Sequence, residues 1–194
     1  IVETMLGGCF NGEPASCSYA CPFRADLRAF LKKAAKGRWD ASYKDLRNYI
    51  PFLSVTSEMC HEPCKSACQQ KTVLGEDGIS MKLLERASLD FSKRKDGAFF
   101  AIPQREEKIA VIGAGMAGLS CALLLSQKKY RVTVFDRNDG WGGRLRQHGR
   151  FPAFNDDISI QFKPLDTDFR FGTEITELSE LDEFDEVYIA TGKG

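Results

Sequence analysis

The sequence predicts a multi-domain chain in which an α-helical domain, residues 1–105, precedes an α/β domain, residues 106–194. Six of the seven cysteines lie before residue 70, among short amphipathic helical patterns. The composition changes near residue 105, where a short apolar run, a glycine-rich turn, a helical pattern and a second apolar run follow one another. Strand, glycine turn, helix and strand in that order form the parallel βαβ unit. The second domain is therefore predicted to be Rossmann-like.

The composition excludes several classes of protein. The 194 residues carry 27 basic and 27 acidic side chains, so charge gives no reason to expect nucleic acid or an anionic membrane as a partner. Apolar residues make up 43% and charged residues 28%, which excludes wholesale disorder. The sequence has no uncharged apolar run of about 18 residues and no signal-peptide pattern at its start. We therefore expect a cytoplasmic protein without a membrane span and, because it begins at Ile1, a fragment.

Three amphipathic helices are predicted in the first domain. The first covers residues 24–36 and ends at Gly37. The second begins with Asp40 as its capping residue and ends near Pro51. The third covers residues 79–91. Spacings of three and four residues place Leu27, Phe30, Leu31 and Ala34 on one face of the first helix, Tyr43, Leu46, Arg47 and Ile50 on the second, and a buried stripe of Ile79, Leu83, Leu84, Ala87 and Phe91 on the third.

The second domain is predicted from residue 108 onward. Residues 109–112 and 132–135 are apolar and β-branched, which is typical of buried strands, and residues 116–127 read as a helix between them. Residues 169–171 and 187–190 are predicted as further strands. After Gly143 the sequence gives few clear patterns, and Phe151 to Thr167 looks short.

The first glycine turn has the pattern of a dinucleotide-binding site. Residues 113–118 read G-x-G-x-x-G between a predicted strand and a predicted helix, which is the context that the motif requires. The helix N-terminus offers N–H groups and the positive end of its dipole to a pyrophosphate. Asp136 ends the next strand, where a carboxylate accepts hydrogen bonds from ribose hydroxyls. The alternative is a glycine-rich turn without a ligand. The candidate binding residues here are Gly113, Ala114, Gly115, Met116, Ala117, Gly118 and Asp136.

Two later motifs favour FAD over NAD. A Gly-Gly pair follows Asp136 after a short interval, and a strand ends in Ala-Thr-Gly near the end of the chain. Both resemble the flavoproteins with two dinucleotide-binding domains, and the resemblance implies that both segments approach FAD. The additional candidate residues are Arg137, Gly142, Gly143, Arg144, Ala190, Thr191 and Gly192. Arg144, Arg146 and Arg150 either neutralise phosphates or form a solvated basic loop.

The cysteines indicate a metal or iron–sulfur site rather than disulfides, because no export signal accompanies them. Cys17 and Cys21 are four residues apart, as are Cys60, Cys64 and Cys68, and on a helix this spacing puts thiols on one face. Zinc is the competing ligand, although no C-x2-C pair is present. His61 is expected to be solvated, and Cys121 to be a small core residue of the predicted helix.

Together these features resemble the small subunit of bacterial glutamate synthase and its relatives, including the N-terminal part of dihydropyrimidine dehydrogenase. Besides the cysteines and the βαβ unit, three segments carry the resemblance: Cys21-Pro22 followed by residues 26–31, the Pro-Phe pair at residues 51–52, and Leu84-Glu85-Arg86. The family has a helical iron–sulfur domain before its FAD-binding domain. The resemblance therefore implies a helical [4Fe–4S] domain followed by part of a Rossmann-like FAD-binding domain.

The resemblance implies two sets of cluster ligands. Cys9, Cys17 and Cys68 would bind one [4Fe–4S] cluster, and Cys21, Cys60, Cys64 and Glu85 the other. Taken without the family, Glu85 reads as an exposed helix carboxylate. Gly12 stands where the family has a further cysteine, which leaves open a [3Fe–4S] cluster, a ligand such as water or Glu13, or no cluster at the first site. One cluster is therefore expected and a second is uncertain.

The implied activity is that of an oxidoreductase in which electrons pass between FAD and the clusters to a partner subunit or acceptor protein. NAD(P)H would bind to a second nucleotide domain that this sequence does not contain, so we expect the fragment alone to be inactive and name no catalytic residue. The alternatives are a zinc-binding or vestigial assembly module without electron transfer, and an ordinary NAD-dependent enzyme.

Overall fold

The fold was obtained as a computed structural model that describes residues 9, 15–71, 78–93, 95 and 101–192. The chain divides into two compact units, Ile1–Lys95 and Asp96–Gly194. No helix within the described ranges is long and apolar enough to cross a membrane.

The first unit is helical. Its described helices are α1 (Ser16–Ala20), α2 (Leu27–Ala34), α3 (Trp39–Arg47), α4 (Leu53–Met59), α5 (Pro63–Ser66) and α6 (Met81–Phe91). Helix α2 packs on α3, α6 packs on α3 and α4, and α1 packs on α5. The apolar residues predicted to share one face of the first helix, and those predicted for the second, are buried in a common core. This core includes Leu27, Phe30, Leu31, Ala34, Tyr43, Leu46, Ile50, Leu53 and Met81.

The helix ends differ from the predicted ends because of local hydrogen bonds. Helix α2 begins at Leu27, since the Oδ1 atom of Asp26 accepts a hydrogen bond from the Ala29 N–H at 3.0 Å and caps the helix. Asp40 does not cap α3 but lies within its first turn. Its Oδ1 atom instead accepts hydrogen bonds from the Ser92 hydroxyl at 2.9 Å and from the Lys93 N–H at 2.7 Å. This carboxylate therefore joins the start of α3 to the residues that follow α6.

The buried face predicted for the third helix is correct for Ile79 and Leu84, which pack partly against the core, and wrong for Leu83 and Phe91. Leu83 and Phe91 are 65% and 63% exposed. The buried side chains of α6 are Met81, Glu85 and Ser88, so a carboxylate and a hydroxyl turn inward where the apolar spacing predicted leucine and phenylalanine.

The second unit contains a parallel sheet. Its strands are β1 (Lys108–Ile112), β2 (Arg131–Asp136), β3 (Thr167–Phe171) and β4 (Glu186–Ile189), in the order β3-β2-β1-β4. In the register, Ile112 of β1 lies beside Phe135 of β2 and Ile189 of β4. Since the strands are parallel, their carboxyl ends lie at one edge of the sheet.

Two helices accompany the sheet. Helix α7 (Met116–Gln127) connects β1 to β2, as predicted. Helix α8 (Phe151–Phe162) occupies the segment that gave no clear sequence pattern and follows a 3₁₀ turn, Gly143–Gln147. The Trp141 ring contacts Phe162 of α8 and both phenylalanines of β3, Phe169 and Phe171. These aromatic contacts fix the chain immediately before Gly142 and Gly143, which form the second glycine turn.

Candidate functional site

The first unit brings Cys9, Cys17 and Cys68 into one neighbourhood. All three line the same cavity, with Cys64 and Met81 also at its wall. Burial raises the pKa of Cys9, and the nearby Cys68 and Cys17 raise it further, whereas Arg28 and a hydrogen bond from Gln70 lower it. The three thiols implied as one ligand set therefore lie close together around this cavity.

Cys21, Cys60, Cys64 and Glu85 form a second neighbourhood. Burial is the main cause that raises the pKa of Cys64 to about 12, followed by the charges of Cys60, Glu85 and Cys21. Burial also raises the pKa of Cys60, while the Glu62 backbone N–H lowers it and Glu85 and Cys21 raise it. The two neighbourhoods meet, since Cys17 also contributes to the raised pKa of Cys64.

Glu85 is the least expected member of this group. It is 5% exposed, and its Oε2 atom has no hydrogen-bond partner among the described residues. Its pKa is raised to about 7, mainly by burial and also by the nearby charge of Glu62, while Lys82 acts in the opposite direction. A buried carboxylate oxygen without a partner is costly. A cationic group bound between this carboxylate and the thiols would remove that cost, so the donor set fits iron.

The sequence singles out three other residues of the first unit: His61, Gly12 and Glu13. His61 is exposed, as expected from the sequence. Gly12, which stands at a cysteine position of the family, lies outside the described residues, as does Glu13. Within the described ranges, no three Cys, His, Asp or Glu side chains are arranged to hold a single metal ion.

The second unit holds the first glycine turn between β1 and α7. The Gly113 N–H donates to the Phe135 carbonyl at 2.7 Å, and its φ of +105° is one that residues with side chains rarely adopt. A Cβ atom at Gly118 would lie 1.8 Å from the Gly113 carbonyl oxygen, so the helix packs directly on the turn. Helix α7 begins after Gly115 without a side-chain cap. Its first N–H groups are therefore oriented for an anion.

Two further segments meet this turn. The Gly142 N–H donates to the Ala114 carbonyl at 2.8 Å, which joins the second glycine turn to the first. The Ala190 N–H donates to the Ile112 carbonyl at 2.7 Å. The three glycine-containing segments singled out in the sequence therefore converge at the carboxyl ends of the strands.

Asp136 supports the turn from within. It is 8% exposed. Its Oδ2 atom accepts from the Ala114 N–H at 2.6 Å, and its Oδ1 atom accepts from the backbone N–H and the side-chain amide of Asn138 at 2.8 and 2.7 Å. Three of about four acceptor positions are thus used within the chain. A hydrogen bond to ribose stays a prediction for this residue.

The arginines near the turns are on the surface. Arg144 is exposed, Arg137 forms an ion pair with Glu174 at 3.7 Å, and Arg146 pairs with Asp139 at 2.6 Å. Hydrogen bonding to Arg146 lowers the pKa of Asp139. These contacts leave phosphate neutralisation by the arginines as a prediction.

Cys121 lies on α7 and is half-buried, and burial raises its pKa. It belongs to the second unit and to neither cysteine neighbourhood.

Two residues that hold these sites in place, Glu62 and Asn138, are not among those predicted from the sequence. Glu62 binds the start of α6 through its side chain, and Asn138 binds Asp136. The sequence does identify Ser80 as a preferred N-cap residue directly before an amphipathic run. Nothing in the sequence indicated that Glu62 would reach it.

Comparisons with known protein families agree with the two parts of the chain. The family described as dihydropyrimidine dehydrogenase domain II, 4Fe-4S cluster, matches residues 7–97. The family described as NAD(P)-binding Rossmann-like domain matches residues 111–162. The iron–sulfur domain and the nucleotide-binding domain are thereby both identified, in the predicted order.

Similar curated proteins are subunits of oxidoreductases. NADPH-Fe(3+) oxidoreductase subunit beta of Geobacter sulfurreducens is 30% identical over 92% of this chain and 28% of its own length. The small chain of glutamate synthase [NADPH] of Mycobacterium tuberculosis is 32% identical over 67% of this chain and 27% of its own length. NADP(+)-dependent formate dehydrogenase subunit beta of Moorella thermoacetica is 25% identical over 92% and 29%. The chain thus spans less than a third of the length of these relatives.

Proposed function

We propose that the chain forms part of an NAD(P)H-dependent oxidoreductase that uses FAD and iron–sulfur clusters, as a member of the family of the glutamate synthase small subunit. Its similarity to that subunit and to NADPH-Fe(3+) oxidoreductase subunit beta, together with the two matched domains, supports the proposal. Electrons pass between FAD and the clusters and on to a partner subunit or acceptor protein.

The burial of Glu85 beside the thiols of Cys60 and Cys64 carries the proposal. Each of these groups binds iron as an anion, and burying several anions together is strongly unfavourable unless a cation lies between them. The unpartnered Oε2 atom of Glu85 gives this cation a ligand position. Cys21 completes a set of four donors, which is the number that a [4Fe–4S] cluster needs.

A second cluster is proposed at Cys9, Cys17 and Cys68 with three thiolates from this chain. Gln70 donates a hydrogen bond to Cys9, and Arg28 lies near enough to favour its thiolate. Hydrogen bonds to sulfur and nearby positive charge both stabilise the anionic ligand form. The fourth position of this site falls on Gly12 and is not supplied by a cysteine.

The glycine turns of the second unit are proposed to bind FAD. The N–H groups at the start of α7 hold the pyrophosphate, and the close approach of the second turn to the first brings Gly142 and Gly143 to the same side. Asp136 keeps the Ala114 N–H and the turn in place. FAD, when bound, supplies the exchange between hydride and single-electron transfer, and the chain binds and orients it.

Anaerobic reconstitution tests the proposal. We expect iron, sulfide and flavin to bind, with broad visible absorption from the cluster. Cys64→Ser should lose iron and part of this absorption, because it removes a buried ligand. Cys121→Ser is the matched control and should retain both, since Cys121 lies outside the cysteine neighbourhoods.

Each alternative has its own result in the same experiment. Stoichiometric zinc with little iron or sulfide would support an assembly module instead. Mass spectrometry of the nucleotide released by heat distinguishes FAD from NAD(P)H, and NAD(P)H alone would contradict the flavin assignment.

A further inference from the structure

Glu62 has an unusual backbone conformation between two candidate iron ligands. It lies in the loop from Cys60 to Cys64 with φ +53° and ψ +52°, the left-handed region. Residues with a Cβ atom rarely adopt this region, and a residue that precedes proline, as Glu62 precedes Pro63, is further restricted to extended conformations. Such a conformation persists only where surrounding contacts hold it.

The backbone of Glu62 contacts both ends of the loop. Its N–H donates to the Cys60 Sγ atom at 3.3 Å. Its carbonyl accepts from the Lys65 N–H at 2.9 Å and so begins α5, the short helix that carries Cys64. The left-handed conformation therefore directs one peptide group to the first thiol and another to the helix of the second.

The side chain of Glu62 binds the start of α6. Its Oε1 atom accepts from the Ser80 hydroxyl at 2.7 Å and from the Lys82 N–H at 3.2 Å. The Ser80 Oγ atom in turn accepts from the Leu83 N–H at 3.4 Å and caps the helix. A carboxylate is favoured at this end of a helix by both the free N–H groups and the dipole.

These contacts connect the thiol-bearing loop to the helix that carries Glu85. Glu85 lies one turn after the residues that Glu62 binds. We propose that Glu62 is a positioning residue that fixes the loop from Cys60 to Cys64 against α6, so that both thiols and the Glu85 carboxylate reach the same iron–sulfur cluster. The inference rests on the proposed function, since it concerns the geometry of that cluster.

Substitutions at Glu62 separate its hydrogen bonds from its charge. Glu62→Gln keeps an oxygen that accepts from Ser80 and Lys82, whereas Glu62→Ala removes both bonds. Glu58→Gln is a matched control, because Glu58 lies on the neighbouring helix α4 and its carboxylate pairs with Arg86 at 3.8 Å. The full chain is reconstituted anaerobically with iron and sulfide, and two properties are measured: the rate of cluster loss to an iron chelator and the EPR spectrum of the reduced cluster.

We expect Glu62→Ala to lose its cluster about tenfold faster than the wild type, the scale typical when a residue that orients a metal ligand is removed, and to change the EPR spectrum. Glu62→Gln should stay within about threefold of the wild-type rate, since the hydrogen bonds remain. Glu58→Gln should match the wild type. Ser80→Ala should accelerate loss in the wild type and have a smaller effect in Glu62→Ala, where the bond between Ser80 and Glu62 is already absent and only the cap on the Leu83 N–H remains to be lost.

The outcomes distinguish this inference from the proposed function. A wild-type chain that binds no iron overturns the proposed function and the inference with it. A loaded wild type whose Glu62→Ala variant keeps the same EPR spectrum and loss rate overturns the inference alone. If Glu62→Ala does not fold, Ser80→Ala decides: faster cluster loss supports the inference, and an unchanged rate overturns it.

Discussion

Gly118 is expected to determine the stability of the nucleotide-binding unit, and Gly115 its affinity for the nucleotide. A Cβ atom at Gly118 would lie 1.8 Å from the Gly113 carbonyl oxygen and 3.3 Å from the Ala190 Cβ atom. Since the first contact is with backbone, the helix and the turn must separate to make room. A Cβ atom at Gly115 meets nothing within 4 Å, and its φ of −76° suits any residue.

The magnitude follows from two opposing effects in Gly118→Ala. Overpacking against a rigid neighbour costs about 1–3 kcal/mol, and contact with a backbone oxygen belongs at or above the upper end. Alanine recovers about 1 kcal/mol as a better helix former than glycine. The net loss of about 2 kcal/mol corresponds to a fall in Tm of about 10 °C for a unit of this size.

Gly115→Ala should change the stability little and the affinity for FAD strongly. Glycine is a somewhat better N-cap than alanine, so the free energy of unfolding should fall by less than about 1 kcal/mol. The added methyl group occupies open space at the N-terminus of α7, where we propose that the pyrophosphate binds. Losing one such charge-assisted hydrogen bond costs about 1.5–3 kcal/mol, which is about ten- to a hundredfold in Kd.

Thermal unfolding followed by circular dichroism and titration with FAD measure the two effects. Gly118→Ala with the wild-type Tm would refute the close packing of α7 on the turn. An equal loss of stability in Gly115→Ala would refute the claim that the two positions differ. Unchanged FAD affinity in Gly115→Ala would refute the pyrophosphate position.

Two carboxylates give further tests. Asp136→Asn should lower the Tm of the second unit and weaken FAD binding. In either orientation of the amide, its NH2 group faces a backbone N–H that now donates to the carboxylate, which costs about 2 kcal/mol. Asp139→Asn is the control and should leave the Tm unchanged, because the Asp139 side chain is exposed. Asp40→Ala should destabilise the first unit by about 1–2 kcal/mol in urea unfolding, since the Ser92 hydroxyl and the Lys93 N–H lose their acceptor. An unchanged urea midpoint would show that this link does not contribute to stability.

The sheet and its turn could be predicted because local and tertiary signals agree there. The β-branched run of residues 132–135 forms strand β2 to within a residue at each end, and the G-x-G-x-x-G pattern lies between β1 and α7. A glycine turn in this pattern is needed whenever a strand meets a helix so closely, so its sequence and its structure are tightly linked.

Helix α8 could not be located because its start lacks the usual signals. Arg150 precedes it without a side-chain cap. Its buried Phe154, Ile158 and Phe162 are spaced by four residues, but Asp157 is buried with them and interrupts the apolar pattern. Pro152 in the first turn was the remaining local signal, since proline favours helix starts.

The buried face of α6 shows why apolar periodicity fails near a cofactor site. Leu83 and Glu85 are two residues apart and therefore lie on nearly opposite sides of a helix. Burial of the leucine side alone would gain about 2 kcal/mol per large side chain, yet the helix exposes Leu83 and buries Glu85. The buried side also carries Met81, and Leu84 and Leu89 pack partly against the same core, so apolar burial contributes to this orientation. The thiols of Cys60 and Cys64 lie on that same side. The feature that apolar packing does not account for is the buried carboxylate of Glu85. Iron bound between the thiolates and this carboxylate would offset the cost of burying it, which supports the proposed cluster.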